Sequence, residues 1–132
     1  MALNVPDVGE NKILEMLVNK TAPENLVLKL FKNNITPADT DTAATYTEAV
    51  FPGYVAVNLV GATWAAAAAG SISYGAQQSF TASGASVDDI YGYYIIQVTS
   101  TVLIWSERDG AAFFAVRASG DKVQMTPAIG AN

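Results

Sequence analysis

The pattern of hydrophobic and polar positions changes period once along the chain. Ile13, Leu14, Leu17 and Val18 recur at helical spacing, while Glu10, Lys12, Glu15 and Asn19 fall largely on the other side. Asp7, preceded by Pro6 and followed three residues later by Glu10, has the form of a capping box, so a helix is expected to begin there. Thr21-Ala22-Pro23 ends the pattern. Beyond Glu24 the period drops to two. Leu26, Leu28 and Leu30 alternate with Val27, Lys29 and Phe31, which describes a strand with one face buried. Further strands are expected over 54–60, 64–74, 78–82, 91–98, 102–108, 113–117 and 122–126, bounded by Gly, Asp or Ser. The stretch 35–42 reads instead as an exposed, functional loop. Pro37 has no donor for a ladder, and Asp39, Thr40, Asp41 and Thr42 favour local backbone bonds.

Such short, evenly spaced strands predict a mainly β fold: an antiparallel β-sandwich, jelly-roll or Greek-key-like, with an N-terminal α-helix. The organisation expected is an N-terminal helical arm over 1–23 and a β-sandwich domain over 24–132. The apolar face of the helix either covers one end of its own core or docks on a neighbouring subunit. On the second reading Ile13 and Leu17 are contact residues. Thr36, Pro37, Asp39 and Asp41 in the loop, together with Tyr54, complete the expected protein interface.

Composition narrows the chemistry. The 132 residues and 51% hydrophobic content suffice for one core without staples. Cysteine and histidine are both absent, which excludes thiol nucleophiles, disulfides, imidazole bases, Cys/His zinc sites and haem ligation. A net charge of −5, with only seven Lys and Arg, argues against nucleic acid as a partner. The charged fraction is 14%, below the roughly 25% of ordinary soluble domains, and a surface so poor in charge favours association. No basic start followed by an apolar core is readable in 1–11, and no apolar run is long enough to span a bilayer. Soluble synthesis in a cytoplasm, without membrane association, is therefore expected. The alanine run 65–69 reads as tight packing.

The remaining chemistry-bearing groups are weak candidates. Asp39 and Asp41 resemble a fragment of a calcium loop, but the Gly and the distant bidentate Glu of an EF-hand are missing. Asp88-Asp89 reads as turn chemistry. Trp64, Trp105, Tyr91, Tyr93 and Tyr94 would suit a sugar platform or, more simply, the core. Glu107 and Asp109 carry no sign of a hydrolytic pair beyond being two carboxylates. No enzyme activity, cofactor or metal is expected.

A family resemblance adds to this. The segment 25–31 with Asn33-Asn34 and Thr36-Pro37, then Asp39-Thr40-Asp41-Thr42, Gly53-Tyr54, Leu59 and Trp64 form one half of it. Gln78-Ser79-Phe80, Ile90-Tyr91-Gly92-Tyr93-Tyr94, Leu103-Ile104-Trp105-Ser106-Glu107-Arg108 and Val123-Gln124-Met125-Thr126-Pro127 form the other. Together they resemble a group of small tailed-bacteriophage virion proteins, including capsid decoration or cement proteins. The likeness covers most of the chain after Glu24 and departs at 65–69. It implies a β-sandwich on the capsid surface of the virion that clamps the major capsid protein, and a homo-oligomer, dimer or trimer, suits that task. A tail or fibre-attachment adaptor and a carbohydrate-binding, lectin-like module are the alternatives.

Overall fold

A computed structural model describes residues 2–110 and 113–130. Its elements are β1 (Ala2–Asn4), α1 (Asp7–Leu17), β2 (Leu26–Phe31), β3 (Val57–Leu59), β4 (Ser71–Ser73), β5 (Gln78–Thr81), β6 (Asp89–Ile90), β7 (Gly92–Gln97), β8 (Leu103–Arg108), β9 (Phe114–Ala115), β10 (Lys122–Met125) and β11 (Ala128–Gly130). The main sheet has the order β1-β8-β7-β2-β3, and the pairs β10-β5, β11-β4 and β6-β9 form separate ladders. Every pairing is antiparallel. The fold is thus mainly β with a single N-terminal α-helix among the described residues. Three short ladders lie beside the main sheet where one continuous second sheet would complete a sandwich.

The strongest apolar runs make the centre of that sheet, and they differ from expectation in burying both faces. Leu28, Leu30, Tyr93, Ile95, Ile104 and Trp105 enter one core together with Phe80 of β5 and Val123 of β10. Val27, Phe31, Tyr94, Ile96 and Leu103 enter a second core on the opposite face, beneath Tyr46, Ile35 and Ala43. Alternation along β2 therefore separates two interiors, and only Lys29 carries a charge to the surface from its middle. A register shift between Ile95 and Ile96 sets Ile104 beside Trp105 in the first core.

The helix begins and ends by backbone chemistry. Pro6 is the N-cap, and no side chain caps the helix, so the expected capping box is not formed. Asp7 instead occupies the first turn, where its charge favours the helix dipole and its N–H donates to the carbonyl of Asp39 at 2.8 Å. Asn19, in the left-handed region at φ 59°, stops the helix ahead of Pro23. Its N–H donates to Met16 O and that of Lys20 to Glu15 O, the paired bonds of a Schellman ending. The face that meets the sheet is also not the expected one. Gly9 lies against the backbone of β8, where a Cβ would stand 2.9 Å from Leu103 O and overlap Ile104 O. Val5 and Ile13 join the first core, while Leu14, Leu17 and Val18 remain outside. Residues 1–23 were expected to form an arm, and within them Ala2–Asn4 pairs along β8 as an edge of the main sheet.

Elsewhere the expected strands shorten or dissolve. The stretch 54–60 keeps only β3, because Tyr54 N–H closes a turn onto Phe51 O and Gly53 sits at φ 88°. The strand expected over 64–74 is a hairpin. Trp64 bridges Tyr74, Ala68 bridges Ser71, and Ala69-Gly70 at φ 50° and 74° make the turn between them. Ala65 through Ala69 are all exposed, so the alanine run is not tight packing. The strands β1, β6 and β11, three residues long or shorter, had no readable period.

Gly92 marks the tightest point of the sheet. A Cβ there would overlap Glu107 O and lie 2.8 Å from the Phe31 ring, whereas one on Gly61 meets nothing within 4 Å. Gly92→Ala is expected to destabilise the fold by about 3 kcal/mol. Gly61→Ala should be neutral or stabilising by up to about 1 kcal/mol. Urea titration of both variants checks this, and equal midpoints would refute the tight contact.

Candidate contact surface

The expected interface residues divide into two groups. Asp41 is buried: its Oδ2 accepts the Ala38 N–H at 2.9 Å and the Tyr46 hydroxyl at 2.7 Å. The Tyr46 proton is thereby used, so Ser106, whose Oγ lies 2.8 Å from Tyr46 Oη, donates back to it. The Tyr46 ring stacks on Tyr94 at 5.0 Å and tilts against Phe31 at 4.9 Å. Asp41 thus belongs to the clasp that holds the loop over the second core, and that engagement removes it from the surface.

Tyr54 is also structural. Beyond the end of β3 the edge of β2 is completed by irregular chain, with Ala49 N–H donating to Leu30 O and Lys32 N–H to Thr47 O. The Leu30 N–H between them donates to the Tyr54 hydroxyl at 3.1 Å, and that hydroxyl donates to Glu48 Oε1 at 3.0 Å. Lys29 Nζ closes the group at 2.9 Å from Glu48 Oε2. Tyr54 therefore caps a ladder donor that would otherwise be orphaned, and its ring packs between Phe51 and Phe80.

Asp88-Asp89 exceeds simple turn chemistry. Buried Asp88 accepts the Val50 N–H at 2.7 Å and the Lys32 ammonium at 3.2 Å, and Asp89 pairs with Arg117. Three separated segments are stapled at this point. Nothing in the spacing of the sequence announced the partners of Asp88, Tyr46 or Glu48, because each is brought in from a loop. Among the described residues no three Asp or Glu side chains gather as a metal-ligand group. Trp105, Tyr93 and Tyr94 are core residues, which leaves Trp64 and Tyr91, both half-buried, of the five rings considered for a sugar platform.

The second group stays outside. Thr36 and Asp39 are exposed and Pro37 is half-buried, in a loop anchored to the start of α1 through Asp39 O. Leu17 is 78% exposed, Leu14 59% and Val18 72%, and their i, i+3, i+4 spacing makes them one stripe. Ile13, one turn before Leu17 on the same side of the helix, packs against the first core. Sequence periodicity had placed Ile13 and Leu17 together. Gly9 lets the first turn of the helix meet the backbone of β8, and Ile13 in the next turn reaches the core, while Leu17 one turn further on stays exposed. The stripe and the loop tip lie towards opposite ends of a helix about 16 Å long. No described helix is long and apolar enough to cross a membrane.

The buried phenols give the site its pH response. Burial pushes Tyr46, Tyr54 and Tyr93 well above the usual tyrosine range, with the carboxylates of Asp41, Glu48 and Glu107 respectively adding to it. Burial, aided by the Glu48 charge, raises Tyr94 to about 12. These groups hold their protons more tightly when folded, so the stabilisation they give is complete below about pH 10 and is lost as pH rises through the folded values. An ultraviolet titration should leave these four of the six tyrosines un-ionised at pH 10.5, then release them together on unfolding. Smooth ionisation of all six near pH 10 would contradict the burial. Neither family models nor curated proteins contain a match to this chain.

Proposed function

We propose that this chain is a phage capsid decoration, or cement, protein that sits on the head surface and bridges subunits of the major capsid protein. The observation that supports this reading is the bare stripe Leu14, Leu17 and Val18 on a helix whose other face is locked onto β8. A stripe of that kind costs solubility unless something covers it, and a rigid helix presents it at little entropic cost on docking. The loop carrying Thr36, Pro37 and Asp39 offers a second contact near the start of the same helix. In this reading the main sheet and the ladders across the first core are the two layers of a sandwich-type fold, kept rigid so that the contacts keep their spacing. A homo-oligomer, dimer or trimer, would repeat those contacts around an axis and straddle equivalent coat neighbours.

Binding only to the assembled lattice stabilises that lattice by mass action at every occupied site, so modest contacts add up over a head. The work asked of the protein is mechanical, with no bond made or broken. Heads prepared without it should rupture at a lower temperature than heads to which the purified chain is added back, and copies per head should be comparable to those of the coat protein. The triple variant Leu14→Ser, Leu17→Ser, Val18→Ser should keep its melting temperature within about 3 °C. Its affinity for heads should fall by roughly 3 kcal/mol, about a hundredfold. Unchanged rupture temperature, or about a dozen copies per particle, would place the protein in the tail as an adaptor instead.

A further inference from the structure

A cavity of about 260 Å³ opens between the β6-β9 ladder, the start of β7, the end of β8 and β10. Its walls are mostly apolar, with Ile90, Phe114, Val123 and Met125 among them, and two carboxylates, Glu107 and Asp109, stand in the lining. The volume falls below the roughly 300–1,000 Å³ of small-molecule sites, so the cavity is sized for one side chain more than for a free metabolite. No residue of the lining is basic.

Most of the Lys and Arg side chains are engaged elsewhere. Of the seven Lys and Arg, Lys12 and Lys20 pair with Glu15, Lys29 with Glu48, Lys32 with Asp88 and Arg117 with Asp89. Arg108, between the two carboxylates in sequence, donates to Ile35 O at 2.7 Å and lies over the Tyr91 ring at 5.1 Å. Lys122 forms no ion pair among the described residues, and alternation along β10 places it opposite the inward Val123. Glu107 is held in position by the Tyr93 hydroxyl, which donates to its Oε2 at 2.5 Å. Asp109 is fixed through its backbone, its N–H donating to Tyr91 O at 2.9 Å.

An apolar slot with two carboxylates and no Lys or Arg in its lining complements an aliphatic stem ending in a cation. We propose that this cavity receives a lysine or arginine side chain presented by the coat protein, a partner chemistry that rests on the decoration reading above. The stem would pack against Ile90, Val123 and Met125, the cation would meet Glu107 and Asp109, and the Phe114 ring would add a π-face.

The test separates the cavity from the particle. The free chain is titrated with n-butylammonium, n-butylguanidinium and neutral n-butanol, following the amide signals of Gly92, Glu107 and Gln124 and the methyl of Met125. Both cations are expected to shift these signals and to bind about fivefold to thirtyfold more tightly than the alcohol. The preference should weaken in 0.5 M salt, as charge attraction does. In E107Q/D109N, and in D109N alone if the double variant folds poorly, it should shrink to within about twofold for the double variant and about halve on a logarithmic scale for the single one. Equal binding of cation and alcohol, or shifts confined to other residues, would overturn the proposal whatever the chain does on heads. If the free chain prefers cations but fails to stabilise heads, the decoration reading falls and the cavity's chemistry stands. E107Q/D109N binding heads as tightly as the unaltered chain would overturn the docking role of the cavity.

Discussion

Three strands, β2, β7 and β8, are covered on both faces, and the rest of the molecule is arranged to make that possible. A sheet wet on one side can leave its polar positions to water. This one cannot, so polar groups drawn under cover take partners from inside, although the indole N–H of Trp105 is left without one. Ser106 is met by Tyr46, which Asp41 holds in turn; Gln97 accepts the Ser100 hydroxyl at 2.7 Å; the Leu30 N–H is met by Tyr54. The segments that supply these partners are the irregular ones, which explains how so much chain without regular structure is nevertheless held.

The same constraint reinterprets the composition. A charged fraction of 14% suggested an exterior buried in an assembly, yet part of that apolar content is used by two interiors in place of one. The total accessible surface, 6966 Å², is close to the roughly 6,700 Å² expected of a folded monomer of this mass. The chain therefore closes its own core. The apolar groups still outside, above all Leu14, Leu17 and Val18, are left over after that closure, and this makes them informative about contact.

How much of this was legible in the sequence depended on the length of each pattern. The strands β2, β7 and β8, six residues each, stood out by their concentration of Leu, Ile and aromatic residues. Their two-sided burial was not readable, since a strand dry on both faces and one dry on a single face both place Leu at alternate positions. The helix was found from its period, but its orientation depended on a glycine, which carries no hydrophobic signal. The 64–74 stretch misled because alanine and serine alternate weakly, and a left-handed Ala69-Gly70 pair turned the chain back. Asp41 stands on a loop that looks exposed by composition, and Tyr54 at the start of an expected strand. They turn inward because the backbone donors of Ala38 and Leu30 and the hydroxyl of Tyr46 need partners, and those are tertiary facts.

Location decides between a molecule that clamps a lattice and one that merely folds well. A cryo-electron microscopy map of heads carrying this chain, at a resolution that places side chains, measures it directly. The expected result is density for the chain on the outer capsid surface at copy numbers near those of the coat protein, with Leu14, Leu17 and Val18 covered by coat residues. Density confined to the tail, or heads decorated with the helix stripe facing solvent, would contradict it.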